Sequence, residues 1–381
     1  MRSMLALSPL AGVVLAVVPG IVVAQQRAAR PITARPVEFA EPFSALTRML
    51  ELRDGRILVH DARERKLGVV DFAAGEFREV ARQGAGPLEY RTVLSMIRLP
   101  GDSVMLLDLG NQRALLMTPD GRPVRTSAMG EVGGDVSSMI GRPLARDADA
   151  RGRLYGTHRG LVVGGGQMSQ SDSVAIVRIA GASIDTLALY GASSSPSSRM
   201  VDGVVTMRAR GFPALDGWAV FPDGRVLLVH SERYVPELIL PDGSRRMAAA
   251  VPFTPVSVTA ADRAAHMDEA REQYRGLRMP APPGGTSPRF EVAEPEKWQT
   301  HMPPLASTTI LVDSRGRAWV HVRERSGTAG ERHDLLDDDG KLVDAVRMPK
   351  GVRLAGMGKG VLYGAREDED GLIYLQRYPL P

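Results

Sequence analysis

The sequence predicts an all-β fold built from a repeated unit of four strands. Six times along the 381-residue chain a turn of small residues leads into a short apolar run, at residues 55–60, 102–107, 152–157, 224–229, 316–321 and 359–363. The repeat is roughly 45 residues long, and one sheet of four short strands cannot bury both of its faces alone. Sheets of this kind pack around an axis, so the sequence predicts a six-bladed β-propeller.

The first two units define the strand pattern. Each has four runs of about five or six residues separated by turns. We expect strands at 46–52, 56–60, 67–71 and 77–81 in the first unit, and at 93–99, 104–108, 114–118 and 123–126 in the second. Asp120-Gly121 is a strong hairpin signal, because glycine adopts the left-handed backbone at little cost.

The later units follow the same pattern. The third spans residues 144–189, the fourth 218–251 and the fifth 308–348, and the sixth begins near residue 352. The sixth has only three strands before the sequence ends, which would leave the edge of its sheet unpaired. We expect residues 36–42 to pair with residues 372–378 and so to complete this blade and close the ring.

Two insertions interrupt the regular spacing. Residues 191–213 are rich in Ser, Gly and Pro, and residues 252–303 separate the fourth and fifth units. Residues 259–262 resemble a helix cap, and residues 263–275 are mostly strong helix formers. We therefore expect one short helical insertion between blades four and five, lying on the surface of the ring.

The N-terminal residues predict export. Arg2 precedes an uncharged stretch that ends in Val22-Val23-Ala24, which places small residues at the two positions that a signal peptidase reads. Pro9 and Pro19 make the stretch a poor membrane anchor. We expect a signal peptide at 1–24, a linker at 25–35, one propeller domain at 36–381 and no transmembrane segment after cleavage. A periplasmic or secreted bacterial protein would fit, since the sequence has no cysteine and therefore no disulfide framework.

The charge pattern argues against a nucleic-acid partner. The formal net charge is +4, and the basic residues, mostly arginine, alternate with acids, as in residues 61–65. A strongly basic stripe would indicate nucleic acid, whereas alternating charges are typical of a solvated, ion-paired surface. We expect a monomer that does not bind nucleic acid.

Two motifs carry a resemblance to a known group of proteins. Residues 83–90, Gln-Gly-Ala-Gly-Pro-Leu-Glu-Tyr, resemble the Gly-x-Gly-Pro-x-Glu-aromatic loop of bacterial six-bladed β-propeller proteins related to the NHL-repeat class. Residues 313–320, Asp-Ser-Arg-Gly-Arg-Ala-Trp-Val, resemble the Asp-x-x-Gly-Arg-x-Trp-Val segment of the same group. The resemblance implies the propeller fold for the mature chain, and most members of the group have no assigned activity.

Candidate binding residues follow from the propeller architecture. Binding side chains gather at the face where the turns between second and third strands meet the links between blades. Paired guanidinium and carboxylate groups there could hold a polar or anionic ligand, or could form surface ion pairs of little energetic value. The candidates are Arg63, Glu64, Asn111, Arg113, His158, Arg233, Arg323 and Glu324.

The histidines do not predict a metal site. His60, His158, His230 and His321 fall near the same point of four repeats, but their registers differ by one residue. A shift of one residue reverses the face to which a strand side chain points. We therefore expect ordinary strand-end histidines and no metal ligands among them.

Two classes of function remain open. The favoured one is a non-catalytic binding protein without a cofactor, whose ligand is a protein, a peptide or a glycan. The alternative is a lactonase or esterase of the gluconolactonase type, which shares the six-bladed ring and would need a divalent cation such as calcium or zinc. The alternative is weaker because the starts of the innermost strands carry no acid: they are Thr47, Thr92, Ser95, Ser307 and Thr308. No nucleophile with a nearby base is recognisable in the sequence, so we expect no catalytic residue.

Overall fold

A computed structural model describes residues 26–128, 143–164, 167–181, 183–191, 197–201, 204–274, 289–325 and 328–381. The predicted signal peptide lies outside these residues, as do parts of both insertions. Within the described ranges, no helix is both long enough and apolar enough to cross a membrane.

The first half of the described chain is built mainly from strands. Two short strands come first, β1 (Arg30–Pro31) and β2 (Val37–Glu38). The first unit is β3 (Leu46–Glu51), β4 (Ile57–Asp61), β5 (Lys66–Asp71) and β6 (Glu76–Ala81). The second is β7 (Val93–Arg98), β8 (Val104–Asp108), β9 (Arg113–Met117) and β10 (Pro123–Ala128). The third is β11 (Leu144–Ala148), β12 (Leu154–Gly164), β13 (Gln167–Ala180) and β14 (Ser183–Gly191).

The second half adds three further units and the insertions. The first insertion gives β15 (Ser197–Val201) and β16 (Val204–Arg208). The fourth unit is β17 (Gly217–Val220), β18 (Val226–His230), β19 (Val235–Ile239) and β20 (Arg245–Met247). The second insertion contains β21 (Val256–Ser257), helix α1 (Ala260–Tyr274), β22 (Arg289–Ala293) and β23 (His301–Met302). The fifth unit is β24 (Leu305–Val312), β25 (Ala318–Val322), β26 (Arg332–Leu336) and β27 (Leu342–Arg347), and the last is β28 (Val352–Gly358), β29 (Val361–Glu367) and β30 (Ile373–Pro379).

The sheets are arranged as in a β-propeller, although not as six separate blades. Four sheets of four strands stand alone: β3 to β6, β7 to β10, β11 to β14, and β28 to β30 completed by β2. The predicted fourth and fifth blades are joined into one nine-stranded sheet, because β17 pairs in parallel with β24 at Trp218 and Thr309. The prediction of six independent sheets is corrected in this respect.

The junctions between first strands explain the joined sheet. At three junctions a side chain donates to a carbonyl of the next first strand: Arg48 Nε to Leu94 at 2.8 Å, Ser95 Oγ to Ala145 at 2.9 Å and Arg146 Nη2 to Trp218 at 3.3 Å. In β3, β7 and β11 the pairing register shifts next to these residues, as it does at a β-bulge. A bulge bends a strand and ends regular pairing. At the junction of β17 and β24, the backbones of the two strands pair directly, so the two sheets form one continuous sheet.

The hydrophobic core lies between the sheets. The described residues contain six apolar clusters, and each combines side chains from two units. Five clusters join consecutive units; they contain Leu58 with Leu106, Met105 with Val177, Ile176 with Leu228, Leu227 with Val320, and Leu335 with Leu362. The sixth joins the first unit to the last through Val59 and Leu375. Burial of both faces of each sheet therefore requires its neighbours.

The predicted pairing of residues 36–42 with the last strand is confirmed. Val37 and Glu38 of β2 lie opposite Arg377 and Gln376 of β30. The Glu38 carboxylate accepts hydrogen bonds from Arg366, at 2.9 Å from both Nε and Nη2, and from Gln376 Nε2 at 2.6 Å. These contacts attach the N-terminal segment to the last sheet.

Part of the predicted linker at 25–35 is ordered and paired. β1 pairs in parallel with β27. Arg30 donates to Asp344 at 2.8 Å, Arg332 donates to the Arg27 carbonyl at 2.7 Å, and Ile32 is buried. An ion pair and an apolar contact therefore hold residues 27–32 on the fifth unit.

The predicted helix is confirmed as α1, with the expected cap. Thr259 Oγ1 lies 2.6 Å from the Asp262 carboxylate and accepts the Asp262 backbone N–H at 3.2 Å. The insertions also pair with each other, since β16 runs parallel to β22. The sequence did not indicate this pairing.

The motif at residues 313–320 forms a turn. Asp313 Oδ1 accepts the backbone N–H groups of Arg315 and Arg317, and Oδ2 accepts Arg317 Nε at 2.8 Å and Trp319 Nε1 at 2.9 Å. Asp149 holds Arg153 and Tyr155 in the same way. The Asp-x-x-Gly-Arg-x-aromatic pattern is therefore a structural lock between the first and second strands of a unit.

Candidate functional site

Six of the eight predicted residues lie in equivalent turns, and a seventh, Arg113, begins the strand that follows one of these turns. These turns join the second to the third strand of their units: Arg63 and Glu64 after β4, Asn111 and Arg113 at β8–β9, Arg233 after β18, and Arg323 and Glu324 after β25. The eighth, His158, lies within β12, opposite Ala175 of β13. Because corresponding turns fall at the same end of each sheet, the seven residues share one face, which we call the turn face.

Aspartates at the ends of the second strands hold two of these turns. Asp61 Oδ1 accepts backbone N–H groups of Arg63 and Glu64, both at 3.0 Å, and its Oδ2 accepts that of Ser44 at 2.6 Å. Asp108 does the same for Thr92 and Asn111. Sequence reasoning missed these residues, although an aspartate at the same strand end of two units was a usable signal.

The same turns contain a left-handed backbone position. Arg65, Gln112 and Tyr234 have φ values of 58°, 51° and 48° at corresponding places. Such angles are uncommon outside glycine. Their recurrence in three units indicates a shared turn geometry.

The side chains of Asn111 and Arg113 hydrogen-bond to the motif loop at residues 83–90. Arg113 Nη2 donates to the carbonyls of Gly86 and Glu89, the latter at 2.7 Å, and its Nε lies 3.9 Å from Asp108. Asn111 Nδ2 donates to the Gly84 carbonyl at 2.8 Å. Both side chains therefore anchor the loop.

Arg323 and Glu324 do not pair with each other. Glu324 accepts two hydrogen bonds from Arg347, at 2.5 and 2.8 Å. Arg323 is mostly buried, its Nε has no hydrogen-bond partner among the described residues, and burial lowers the pKa of its guanidinium. In the turn after β25, the charge of Glu324 is therefore balanced by Arg347. The Nε of Arg323 has no such partner among the described residues.

Arg63, Glu64 and Arg233 remain exposed on the turn face. The Glu64 carboxylate accepts Ser44 Oγ at 2.9 Å. Arg233 lies between the exposed Glu232 and the buried Tyr234. Of these three residues, Arg233 lines a described pocket.

The four histidines have separate surroundings. His60 is buried against Tyr90 with its Nδ1 2.8 Å from Thr47 Oγ1, and burial lowers its pKa. His230 contacts Glu237 at 2.7 Å, and His321 stacks on His333. In the part of the chain that the structure describes, no group of three or more His, Asp or Glu side chains is placed to hold a metal ion.

The pocket at Arg233, which we call the insertion pocket, has a volume of about 410 Å³. Three parts of the chain form it: the segment before β17, the turn after β18, and the second insertion with the residues that follow it. Its lining combines apolar and polar side chains: Phe212, Ala214, Glu232, Arg233, Tyr234, Val251, Phe253, Pro255, Gln299, His301, Met302, Pro303 and Pro304. A site of this composition suits a ligand with both apolar and polar groups.

Aromatic side chains support one wall of the insertion pocket. Phe212 lies 4.8 Å from His266 of α1 and 5.8 Å from Trp298, measured between ring centres. Phe212 also has a φ of 59°, and this value does not belong to the repeated turn. A left-handed backbone at a bulky residue is strained and persists only where its surroundings hold it. The site residues Phe212, Phe253 and His301 were not found from the sequence, because both insertions lack a repeat from which to place them.

Comparison with known proteins gives likenesses of fold only. No family model and no curated protein sequence matches the chain. Similar solved structures include a protein of Bacteroides fragilis assigned as exported, with 10% identity, a TM-score of 0.48, and coverage of 94% of this chain and 98% of that one. A gluconolactonase of Xanthomonas campestris has 12% identity, a TM-score of 0.42, and coverage of 94% and 99%. The calcium-binding protein regucalcin of Agrobacterium tumefaciens has 12% identity, a TM-score of 0.44, and coverage of 93% and 97%. At these values the likenesses carry no argument about function.

Proposed function

We propose that the protein is an exported, non-catalytic binding protein whose ligand site is the insertion pocket on the turn face. The observation that carries this proposal is the convergence of Arg233, the segment before β17 and the second insertion on one pocket of about 410 Å³. Strain at Phe212, on the wall of the pocket, is typical of functional sites.

The proposed ligand is a peptide or a glycan. Phe212 and Phe253 offer apolar ring surface, and Gln299 and His301 are exposed donors and acceptors in the same lining. Flat apolar surface beside short polar groups fits the alternating apolar and polar faces of a peptide or a sugar. The exposed Arg233 would recognise a carboxylate or a hydroxyl group of that ligand.

We further propose that the ring has six blades and that the chain works as a monomer. In support, the six interfacial clusters join successive units and then the last unit to the first. The joined sheet would then count as two blades that share the β17–β24 pairing.

Export remains a proposal that rests on the sequence of residues 1–24. A mature chain beginning at Gln25 would retain Arg27, whose carbonyl accepts a hydrogen bond from Arg332. The intact mass of the protein recovered from its native compartment tests this proposal, and a chain that still begins at Met1 in the inner membrane would refute it.

The binding proposal is tested with the mature chain, residues 25–381, on a peptide library and a glycan array. We expect at least one component to bind, and Arg233→Ala to weaken its binding about tenfold or more, since a desolvated charged contact contributes on the order of 2 kcal/mol. The control is Arg35→Ala, an exposed arginine far along the chain from the pocket residues. Binding that survives in a folded Arg233→Ala variant would move the site elsewhere.

The hydrolase alternative has a separate test. Calcium or zinc is added to the mature chain while thermal unfolding and lactone hydrolysis are followed. A cation-dependent rise in melting temperature together with hydrolysis would favour the alternative. An unchanged melting temperature without hydrolysis would favour the binding protein.

A further inference from the structure

A second pocket, of about 390 Å³, lies at the seam between the fifth unit and the last sheet. We call it the seam pocket. Its lining includes His321, Arg325 and Thr328 from β25 and the turn after it, and Arg353 from β28. It shares no lining residue with the insertion pocket.

Most carboxylates at the seam pocket are already paired. Glu324 is held by two hydrogen bonds from Arg347. Glu331 accepts the backbone N–H of Leu354 at 2.9 Å and lies 3.3 Å from His333 Nε2. Glu367, which is exposed, is the one lining carboxylate without such a partner among the described residues.

The arginines at the seam pocket, unlike most of its carboxylates, lack side-chain partners among the described residues. Arg325 and Arg353 are exposed and lack a side-chain partner within the described ranges. Arg323 directly follows the end of β25, and its Nε is buried without a hydrogen bond to the described residues. Two exposed guanidinium groups at the pocket therefore face one free carboxylate. The partly buried Arg323 is a third cation close by, and removing a cation from water without a counter-charge is unfavourable.

A buried histidine gives an independent sign of a missing ligand. His333 is 4% exposed, and its Nδ1 is buried without a hydrogen-bond partner in the described structure. Its ring stacks on that of His321, with 5.0 Å between the ring centres and 29° between the planes. Buried polar atoms in proteins are almost always hydrogen-bonded, so an orphaned imidazole nitrogen beside a pocket requires an explanation.

We infer that the seam pocket binds a small ligand through an oxyanion, a carboxylate or a phosphate group. Arg325 and Arg353 approach from two different units and can hold one anion between them. Arg323, which acts electrostatically on His321 of the lining, adds positive potential nearby. An oxyanion would supply the counter-charge that the paired carboxylates do not. The inference is independent of the proposed function of the insertion pocket.

The test uses thermal unfolding of the mature chain at pH 7 with inorganic phosphate or acetate, at an ionic strength kept constant with sodium chloride. We expect a saturable rise in melting temperature with phosphate, with acetate or with both, because an anion that binds only the folded state stabilises it. A response to phosphate alone indicates a phosphate-bearing ligand, and a response to acetate indicates a carboxylate. No saturable rise with either anion would overturn the inference.

Two further measurements locate the site. The double variant Arg325→Gln, Arg353→Gln changes exposed residues without described partners, and we expect it to need at least about tenfold more anion for the same rise. The control variant Arg35→Gln should behave as the wild type does. Imidazole proton–nitrogen spectra should show His321 and His333 signals moving with the anion. Wild-type affinity in the double variant, or unchanged histidine signals at saturation, would overturn the assignment.

Discussion

At the scale of single residues, the turn face is organised by groups that bond to backbone. Asp61 and Asp108 hold their turns through backbone N–H groups, and Arg113 holds a loop through three carbonyls. The sequence predicted where Arg113 lies, since this residue follows an apolar strand at the repeat spacing, but it did not single out the two aspartates. It could not predict what Arg113 binds, because the loop carbonyls are 24 to 28 residues away along the chain.

Replacing Arg113 by alanine should therefore destabilise the fold. The change removes hydrogen bonds to three carbonyls and leaves Asp108 without its nearby cation, so we expect a loss of about 2 kcal/mol in the free energy of unfolding. Urea denaturation measures this loss. Arg63→Ala, at the corresponding turn of the first unit, is the matched control and should change stability by less than about 0.5 kcal/mol. Equal effects of the two changes would contradict the structural role of Arg113.

At the scale of elements, strands were predicted well and insertions poorly. The eight strands of the first two units begin and end within two residues of the prediction, because Gly and Asp turns bound apolar runs. The parallel pairing of β16 with β22 and the insertion pocket could not be predicted, since no turn or repeat links segments so far apart. The hydrogen bond from Arg146 to the Trp218 carbonyl could not be predicted from the sequence either, because it depends on how two units pack against each other.

Asp147 on β11 gives a pH dependence that can be measured. Protein surrounds its carboxyl, although some solvent contact remains, and this burial raises its pKa to about 6. The ordinary value of 3.8 applies to the unfolded chain. Since the folded value is the higher one, the contribution of Asp147 to stability is fully present below about pH 4 and is lost as the pH rises through 6.

Asp147→Asn should remove this loss. We expect the variant to be more stable than the wild type by about 2 kcal/mol at pH 8, and to match it near pH 4. The amide oxygen of the new side chain can still accept the Ala148 N–H that Asp147 now accepts at 2.8 Å. Thermal unfolding at the two pH values tests the expectation, with the exposed Asp370→Asn as control. The expectation would be contradicted if the stability difference between variant and wild type were no larger at pH 8 than at pH 4.

At the scale of the whole molecule, both ends of the described chain are paired into sheets. β2 completes the last sheet, and β1 extends the nine-stranded sheet. Phe39 and Phe43 are 2% and 6% exposed, in the cluster that joins the first unit to the last. The closing pairing was predictable because an unpaired sheet edge is unfavourable, whereas the pairing of β1 completes no sheet and left no such signal.

Deleting residues 25–42 from the mature chain should lower the melting temperature by several degrees or more. The deletion exposes the edge of β30 and removes the buried side chains of Ile32 and Phe39, at a cost of at least a few kcal/mol. Differential scanning calorimetry compares it with a shorter deletion, residues 25–35, which removes β1 but keeps β2. We expect the shorter deletion to cost less. Equal melting temperatures for the longer deletion and the full mature chain would mean that the last sheet does not need β2.

The contact between Glu38 and Gln376 spans 338 positions of sequence. Contacts of such long separation form late, because the chain entropy of closing the loop must be overcome before they contribute any stability. While the ribosome is still making the last unit, β2 has no strand with which to pair. The last sheet therefore cannot be completed before β30 has been made.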